Sequence, residues 1–325
     1  MLYYPYSDYL KNKYGEKVYK LPVNLPVTCP NRVSGEGCAF CAGAGTGFEA
    51  FDASMPVREQ LVRTRERIAG KYKAKKFIAY FQNYTNTYLP LTRFKELLME
   101  AAQTPKVVEI SVSTRPDCIN REYLDVMQEV RALTAVQMNV ELGLQTANYH
   151  TLDRIDRGHG LAEFLDAVLE IQRYAGISIC THVILNLPGD TLRDTVETAR
   201  ILAALHIDIV KLHSLYIAKN TRLCDWYENG KISVCPKEEY IERVISFLEE
   251  LPPETAVERL FSRIPENDAV FCNWGTSWWK LRDELLKKMV DEGRFQGRKF
   301  TPLCGTALRE ADFNHAERCN EYKKL

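Results

Sequence analysis

Short β-branched runs alternate with segments of helical period up to about residue 214. The runs fall around Val23–Val27 and at Lys76–Phe81, Val107–Ser113, Val136–Leu142, Ile177–Leu185 and Asp208–His213. Between them the spacing predicts helices near Val57–Lys71, Leu91–Gln103, Arg121–Leu133, Leu161–Tyr174 and Thr191–Leu205. In the last of these, Val196, Ala199, Leu202, Ala203 and His206 share one face of a 3.6-residue period. Six strands alternating with helices imply parallel βαβ units with right-handed crossovers. Six units are too few to close an eight-stranded barrel. The expected fold is α/β, an open partial (β/α)6 TIM-like barrel, whose chemistry sits at the C-terminal ends of its strands.

Beyond residue 214 the alternation fades. A helix is expected near Lys237–Leu251, after Pro236 and before Pro252 and Pro253. A strand over Ala256–Phe261 precedes Trp274, Trp278 and Trp279, which open a helix to about Val290 and read as core. Residues 1–214 are thus expected to form the barrel with an N-terminal extension, and 215–325 an α+β accessory region.

Composition adds exclusions. A chain of 325 residues, 46% hydrophobic and 26% charged, is an ordinary globular protein, not a disordered, collagenous or coiled-coil one. Its 43 basic residues equal its 43 acidic ones, so any nucleic-acid binding must come from a local patch. Arg58–Lys76 holds eight basic residues against two acidic, either a phosphate-gripping stripe or a solvated helix face. Arg294, Arg298, Lys299, Arg309, Arg318, Lys323 and Lys324 add charge that nearby acids nearly cancel. Tyr3, Tyr4, Tyr6 and Tyr9 read as packing under the barrel more readily than as base-stacking rings. No apolar run approaches the roughly 18 residues of a membrane span. The first residues lack the basic and apolar regions of a signal peptide, so the expected compartment is cytoplasmic and reducing. Ten cysteines in that setting are expected as thiols or metal ligands.

Three of them cluster after the first strand. Cys29, Cys38 and Cys41 fall at C-x8-C-x2-C, followed by the small-residue stretch 42–47. Zinc would want a fourth ligand, and none is near in sequence. A redox pair of Cys38 and Cys41 would leave Cys29 unexplained. A [4Fe–4S] cluster on three cysteines would leave one iron open for a substrate to chelate. Cys118, Cys180, Cys224, Cys235, Cys272, Cys304 and Cys319 show no paired metal spacing and read as ordinary thiols.

The cysteine loop, with Phe40 just before its last cysteine, resembles that of the radical S-adenosylmethionine (SAM) superfamily, whose usual spacing is C-x3-C-x2-C. Six strand-end phrases extend the resemblance to the YhcC/YtqA-like subfamily, related to elongator-type and coproporphyrinogen-type enzymes. They are Phe81–Tyr88, Thr114–Asp117, Glu141–Thr146, Arg157–His159, Leu187–Thr191 and Lys211–His213. The resemblance spans roughly residues 5–250. It implies a [4Fe–4S] cluster on Cys29, Cys38 and Cys41 and SAM chelated to the open iron. Reductive cleavage of SAM would then give a 5′-deoxyadenosyl radical that abstracts a substrate hydrogen. It also implies SAM contacts from Phe40, Gln82, Ser113, Arg115, Gln145, Arg157 and His182. Two departures stand out. Gln82-Asn83 replaces a glycine-rich turn, and Ser113 stands where relatives often carry Glu.

Each position has a plainer reading. Arg115 could pair with Asp117, Glu141 could be a barrel-interior acid, and His182 a satisfied core histidine. His213, beside Lys211 at the mouth, is a candidate acid/base, but no catalytic residue is assigned. The subfamily resemblance points to tRNA as partner, with carboxymethylaminomethyl-uridine at the wobble position converted to aminomethyl-uridine. It further implies a low-potential electron donor of flavodoxin or ferredoxin type. Radical SAM chemistry on a free metabolite is the first alternative. A non-catalytic zinc-bearing RNA-binding protein is the second.

Overall fold

The computed structural model describes residues 1–42, 50–69 and 73–302. The stretch 43–47, Lys71, Cys304, Cys319, Arg309, Arg318, Lys323 and Lys324 lie outside the described residues. In chain order the elements begin with α1 (Tyr6–Tyr14), β1 (Val18–Val23), α2 (Pro30–Val33), α3 (Val57–Ala69), β2 (Lys76–Phe81), α4 (Leu91–Ala102) and β3 (Val107–Thr114). Then come α5 (Arg121–Thr134), β4 (Gln137–Gln145), α6 (Tyr149–Arg154), α7 (Leu161–Ile171), β5 (Ile177–Ile184), α8 (Leu192–Ala204) and β6 (Ile209–His213). The rest are β7 (Tyr216–Ala218), α9 (Arg222–Glu228), α10 (Lys237–Glu250), β8 (Ala256–Arg259), β9 (Ala269–Cys272) and α11 (Trp278–Asp291).

A single parallel sheet runs β1-β2-β3-β4-β5-β6-β8 and curls into an open half barrel. The partial α/β barrel expected from the alternation is therefore present, with two corrections. Its first strand is Val18–Val23, not Val23–Val27: Lys20 and Pro22 break the apolar run that would have marked it, yet Val18 pairs with Lys76 and Val23 with Phe81. The sheet also has seven strands, not six. The seventh, β8, comes from the stretch assigned to the accessory region and pairs with β6 through Ile209–Ala256 and Val210–Val257.

Helices cover the outer face. Phe94 and Leu98 of α4, Leu124 and Met127 of α5, Phe164 and Val168 of α7 and Ile241, Val244 and Ile245 of α10 are almost fully buried on it. Each such side chain stabilises the fold by about 1.5–3 kcal/mol before entropy is counted. Helix starts are fixed locally. Asn120 caps α5 and Asn148 caps α6, and the Asp194 carboxylate accepts from the Thr191 amide at 2.7 Å at the head of α8. No helix of the described residues is long and apolar enough to cross a membrane.

Part of the charge noted in the sequence is engaged in ion pairs and hydrogen bonds. Along α3 and its sequel, Arg63 pairs with Glu59, Lys75 with Glu16, and Lys76 donates to the Tyr14 carbonyl. Arg294 pairs with Glu242 and Glu249, and Arg298 and Lys299 with Glu249. Trp274 and Trp278 pack on the core, while Trp279 is half exposed.

Candidate functional site

Alternate strand residues point into the half barrel and stack in layers. The lowest layer is mainly apolar: Val18, Ile78, Cys180, Ile209 and Ala256 meet Tyr6 and Leu10 of α1, with Tyr4 and Tyr9 against them, while the buried Glu109 carboxylate beside Ile78 accepts from Lys13 Nζ at 2.8 Å and Tyr14 Oη at 2.5 Å. The N-terminal tyrosines thus close the barrel from below.

The middle layer is charged. The fully buried Glu141 carboxylate accepts from Lys20 Nζ at 2.6 Å, Lys211 Nζ at 3.1 Å, His182 Nε2 at 2.6 Å and Ser111 Oγ at 2.5 Å. Glu258 of β8 completes the lattice by pairing with both lysines. Burial alone would raise the Glu141 carboxyl, but Lys20, Lys211 and His182 outweigh it and hold it well below the usual range. Burial, with Lys211 beside it, lowers the His182 imidazole below its ordinary value, which keeps the ring neutral.

The upper layer carries Gln82, Ser113, Gln145 and His213, and the cysteine loop lies over it. Cys29 ends the extended entry and Pro30 starts the single turn of α2. The loop is pinned on both sides: the Ala39 amide donates to the Ile155 carbonyl and the Leu223 amide to the Ala39 carbonyl, both at 2.9 Å. Asn31 docks it on the turn after α6, donating to the Asp156 and Arg157 carbonyls at 2.9 and 2.8 Å. That approach requires glycine at 158, where φ is +72° and an added Cβ would sit 2.2 Å from Asn31 Oδ1. Gly158→Ala is expected to destabilise the protein by about 1–3 kcal/mol, read as a lower urea midpoint. A midpoint within about 0.5 kcal/mol of wild type would show that the docking is not tight.

Every cysteine sulfur of the loop faces an N–H donor. Arg115 Nη1 lies 3.8 Å from Cys29 Sγ, Arg157 Nη1 and Asn31 Nδ2 each 3.5 Å from Cys38 Sγ, and Arg32 Nη1 3.7 Å from Cys41 Sγ. Burial and the neighbouring Cys38 push the Cys41 thiol up. Thiolates are metal ligands, and the three guanidinium groups around these sulfurs suit an anionic thiolate–metal assembly. The donor set therefore fits an iron–sulfur cluster.

All ten residues singled out in the sequence line one cavity of about 140 Å³. Cys29, Cys38, Cys41 and Phe40 roof it, and Gln82, Ser113, Gln145 and His182 rise from the strand ends. Several of the ten are partly committed already. Arg115 forks onto Asp117, Nε to Oδ1 at 2.8 Å and Nη2 to Oδ2 at 2.6 Å, so its remaining amine faces sulfur. Ser113 Oγ donates to Tyr80 Oη at 3.2 Å. Arg157 ties the Gly143 carbonyl, at 2.7 Å, to Cys38. Gln145 ends β4 with φ +75°, strained backbone that aims its amide into the cavity mouth.

A second chamber of about 350 Å³ adjoins the first, sharing Phe40, Tyr80, Gln82, Gln145 and His182 as a common wall. Residues from β6, β8 and the segment 263–265 enclose its far side. Sequence reasoning missed Arg32, Asn31, Lys20, Glu258 and Arg259. A lone polar residue carries no periodic signal, although Asn31 and Arg32 lie inside the cysteine loop itself.

Residues 23–202 match the profile of the radical SAM superfamily, and residues 207–291 that of a radical SAM C-terminal domain. The chain is 33% identical over 302 residues to the protein MJ0486 of Methanocaldococcus jannaschii, covering 92% of both chains. It is 32% identical to YtqA of Bacillus subtilis, over 93% of this chain and 94% of that one. A more distant similarity, 23% over 59% of this chain and 40% of the other, is to the tRNA uridine(34) acetyltransferase of Dehalococcoides mccartyi. Among solved structures, archaeal Elp3 of Methanocaldococcus infernus shares the fold at TM-score 0.65 and 16% identity, over 86% of this chain and 64% of that one.

Proposed function

The chain belongs to the radical SAM superfamily, and from that premise we propose that it modifies tRNA at the wobble uridine, converting a carboxymethylaminomethyl side chain to an aminomethyl one. Enzymes of this superfamily use a [4Fe–4S] cluster and SAM, which when bound supply hydrogen-abstracting radical chemistry; the protein supplies position and exclusion. In this reading Cys29, Cys38 and Cys41 hold the cluster. Arg32, Asn31, Arg115 and Arg157 donate to the sulfurs, an interaction that tunes cluster potential. Phe40, Gln82, Ser113, Gln145 and His182 line the space for SAM, with the neutral His182 held by Glu141. Such an enzyme draws its electron from a reductant, and a flavodoxin- or ferredoxin-type protein is the donor proposed.

The observation that carries the reading is the shared wall: a thiol-roofed cavity of about 140 Å³ opens onto a second, larger chamber of about 350 Å³. The similarity to an enzyme named for uridine 34 of tRNA supports the substrate. The decisive experiment is nucleoside analysis by mass spectrometry of tRNA from cells lacking the gene. Carboxymethylaminomethyl-uridine should accumulate and aminomethyl-uridine disappear. An unchanged nucleoside profile would remove tRNA as substrate. A chamber of about 350 Å³ also admits a free metabolite, and that second reading predicts no salt-sensitive binding of tRNA.

A further inference from the structure

The second chamber has an unbalanced charge. Lys211, Arg259 and Arg263 line it, and no aspartate or glutamate does. Lys211 is spoken for, its Nζ 3.1 Å from both Glu141 and Glu258. Arg263 stacks on Trp278, its guanidinium carbon 3.9 Å from the ring centroid, out at the rim. Arg259 is different. It stands beside Lys211 at the C-terminal end of β8, next to His213 and Tyr216. No carboxylate of the described residues pairs with it. A guanidinium held in a half-enclosed chamber without a counter-charge is costly, and its fork matches a carboxylate. A second observation points the same way. His213 Nε2 is buried without a hydrogen-bond partner among the described residues, on the same wall. Burial, reinforced by Arg259, keeps that imidazole neutral, so it adds a hydrogen-bonding group and no opposing acid.

We propose that this chamber holds the substrate by a carboxylate anchored on Arg259, with His213 as the second polar contact, so that the adjacent carbon faces the shared wall with the thiol-lined cavity. The identity of the carboxylate rests on the wobble-uridine reading, in which the carboxymethylamino group supplies it; the anion site itself does not. The inner layers explain why the anchor is at 259. Glu258 turns toward the two lysines, and the register shift between Val210 and Lys211 sets the next residue at the chamber wall.

The test maps arginine accessibility in the full-length protein. Phenylglyoxal labels exposed guanidinium groups, and peptide mass spectrometry reads Arg259 directly. Carboxymethylaminomethyl-uridine, and sarcosine as its minimal fragment, should slow Arg259 labelling. Aminomethyl-uridine and methylamine, which lack the carboxylate, should not. In calorimetry Arg259→Gln should weaken binding of the carboxylate nucleoside roughly 100-fold while leaving the aminomethyl nucleoside unaffected. Arg259→Lys should recover part of the loss, and circular dichroism separates this from misfolding. Equal labelling with every probe, or protection by inorganic phosphate and not by carboxylates, would overturn the proposal. The two readings fail separately. Sarcosine protection with unchanged cellular tRNA keeps the carboxylate site and removes the wobble uridine; altered tRNA without protection does the reverse.

Discussion

Cys38→Ala is expected to yield a folded protein that, after anaerobic reconstitution with iron and sulfide, keeps almost none of the cluster and cleaves no SAM. Cys38 is the most enclosed of the three thiols, with Asn31 and Arg157 both 3.5 Å from its sulfur. Loss of one of three thiolates removes a covalent ligand, a larger effect than the 10- to 100-fold cost typical of losing a supporting hydrogen bond around a metal. Electron paramagnetic resonance provides the readout. The reduced wild-type protein should show a [4Fe–4S]⁺ signal that shifts when SAM is added, because three cysteines leave one iron open. The variant should show neither signal nor shift. Cys180→Ala, in the apolar layer below Glu141, is the matched control and should retain both. A Cys38→Ala protein whose cluster still responds to SAM would disprove the assignment of the three thiols. Zinc uptake in place of iron would do the same.

How far the sequence revealed this site depends on which signal each residue carries. Helices α4, α5, α8 and α10 were legible nearly to their ends, because their buried positions repeat every three or four residues. The cysteine loop was legible from spacing alone. The polar phrases at the strand ends stand out by family resemblance, and some of their residues serve local structure. Asn86 donates to the Phe81 and Ser113 carbonyls, and Asp190 accepts from Thr151 and Asn148. What stayed hidden is the inner face of the sheet. A strand buried on both sides is normally read from a continuous apolar run. In β1 and β8 the inward residues are Lys20 and Glu258, whose charges cancel only against partners far away along the chain, 121 positions for the Lys20–Glu141 pair and 47 for Lys211–Glu258. Local pattern cannot register that compensation, so the sequence points to Val23–Val27 for the first strand and to an accessory region for β8, where the structure has Val18–Val23 and a seventh barrel strand. Arg259 escaped for the same reason: its meaning lies in the absence of an acid around a chamber assembled from several strands.

Glu141→Gln should produce the largest loss of stability of any single change in the barrel. It leaves Lys20, Lys211 and His182 around a neutral amide, with Glu258 alone to balance two buried ammonium groups. Removing one partner of a buried ion pair costs about 3–5 kcal/mol, a large part of the roughly 5–15 kcal/mol that holds a domain folded. Urea unfolding at pH 7 measures it. Adding Lys211→Met should restore part of the loss, since the second change removes the uncompensated charge. The pH profile supplies an independent check. Glu141 is held below its ordinary 4.5, so its contribution is present above that value and fades as pH falls through the lower folded value. His182 is held below its ordinary 6.5, so the unfolded chain binds the proton first and stability falls with pH from about 6.5 downward. Wild type should therefore weaken in two stages on acidification. The variant should keep the histidine stage, which Glu141 only moderates, and lose the carboxylate stage below 4.5. A variant as stable as wild type at pH 7, with an unchanged acid limb, would mean that Glu258 carries the lattice by itself.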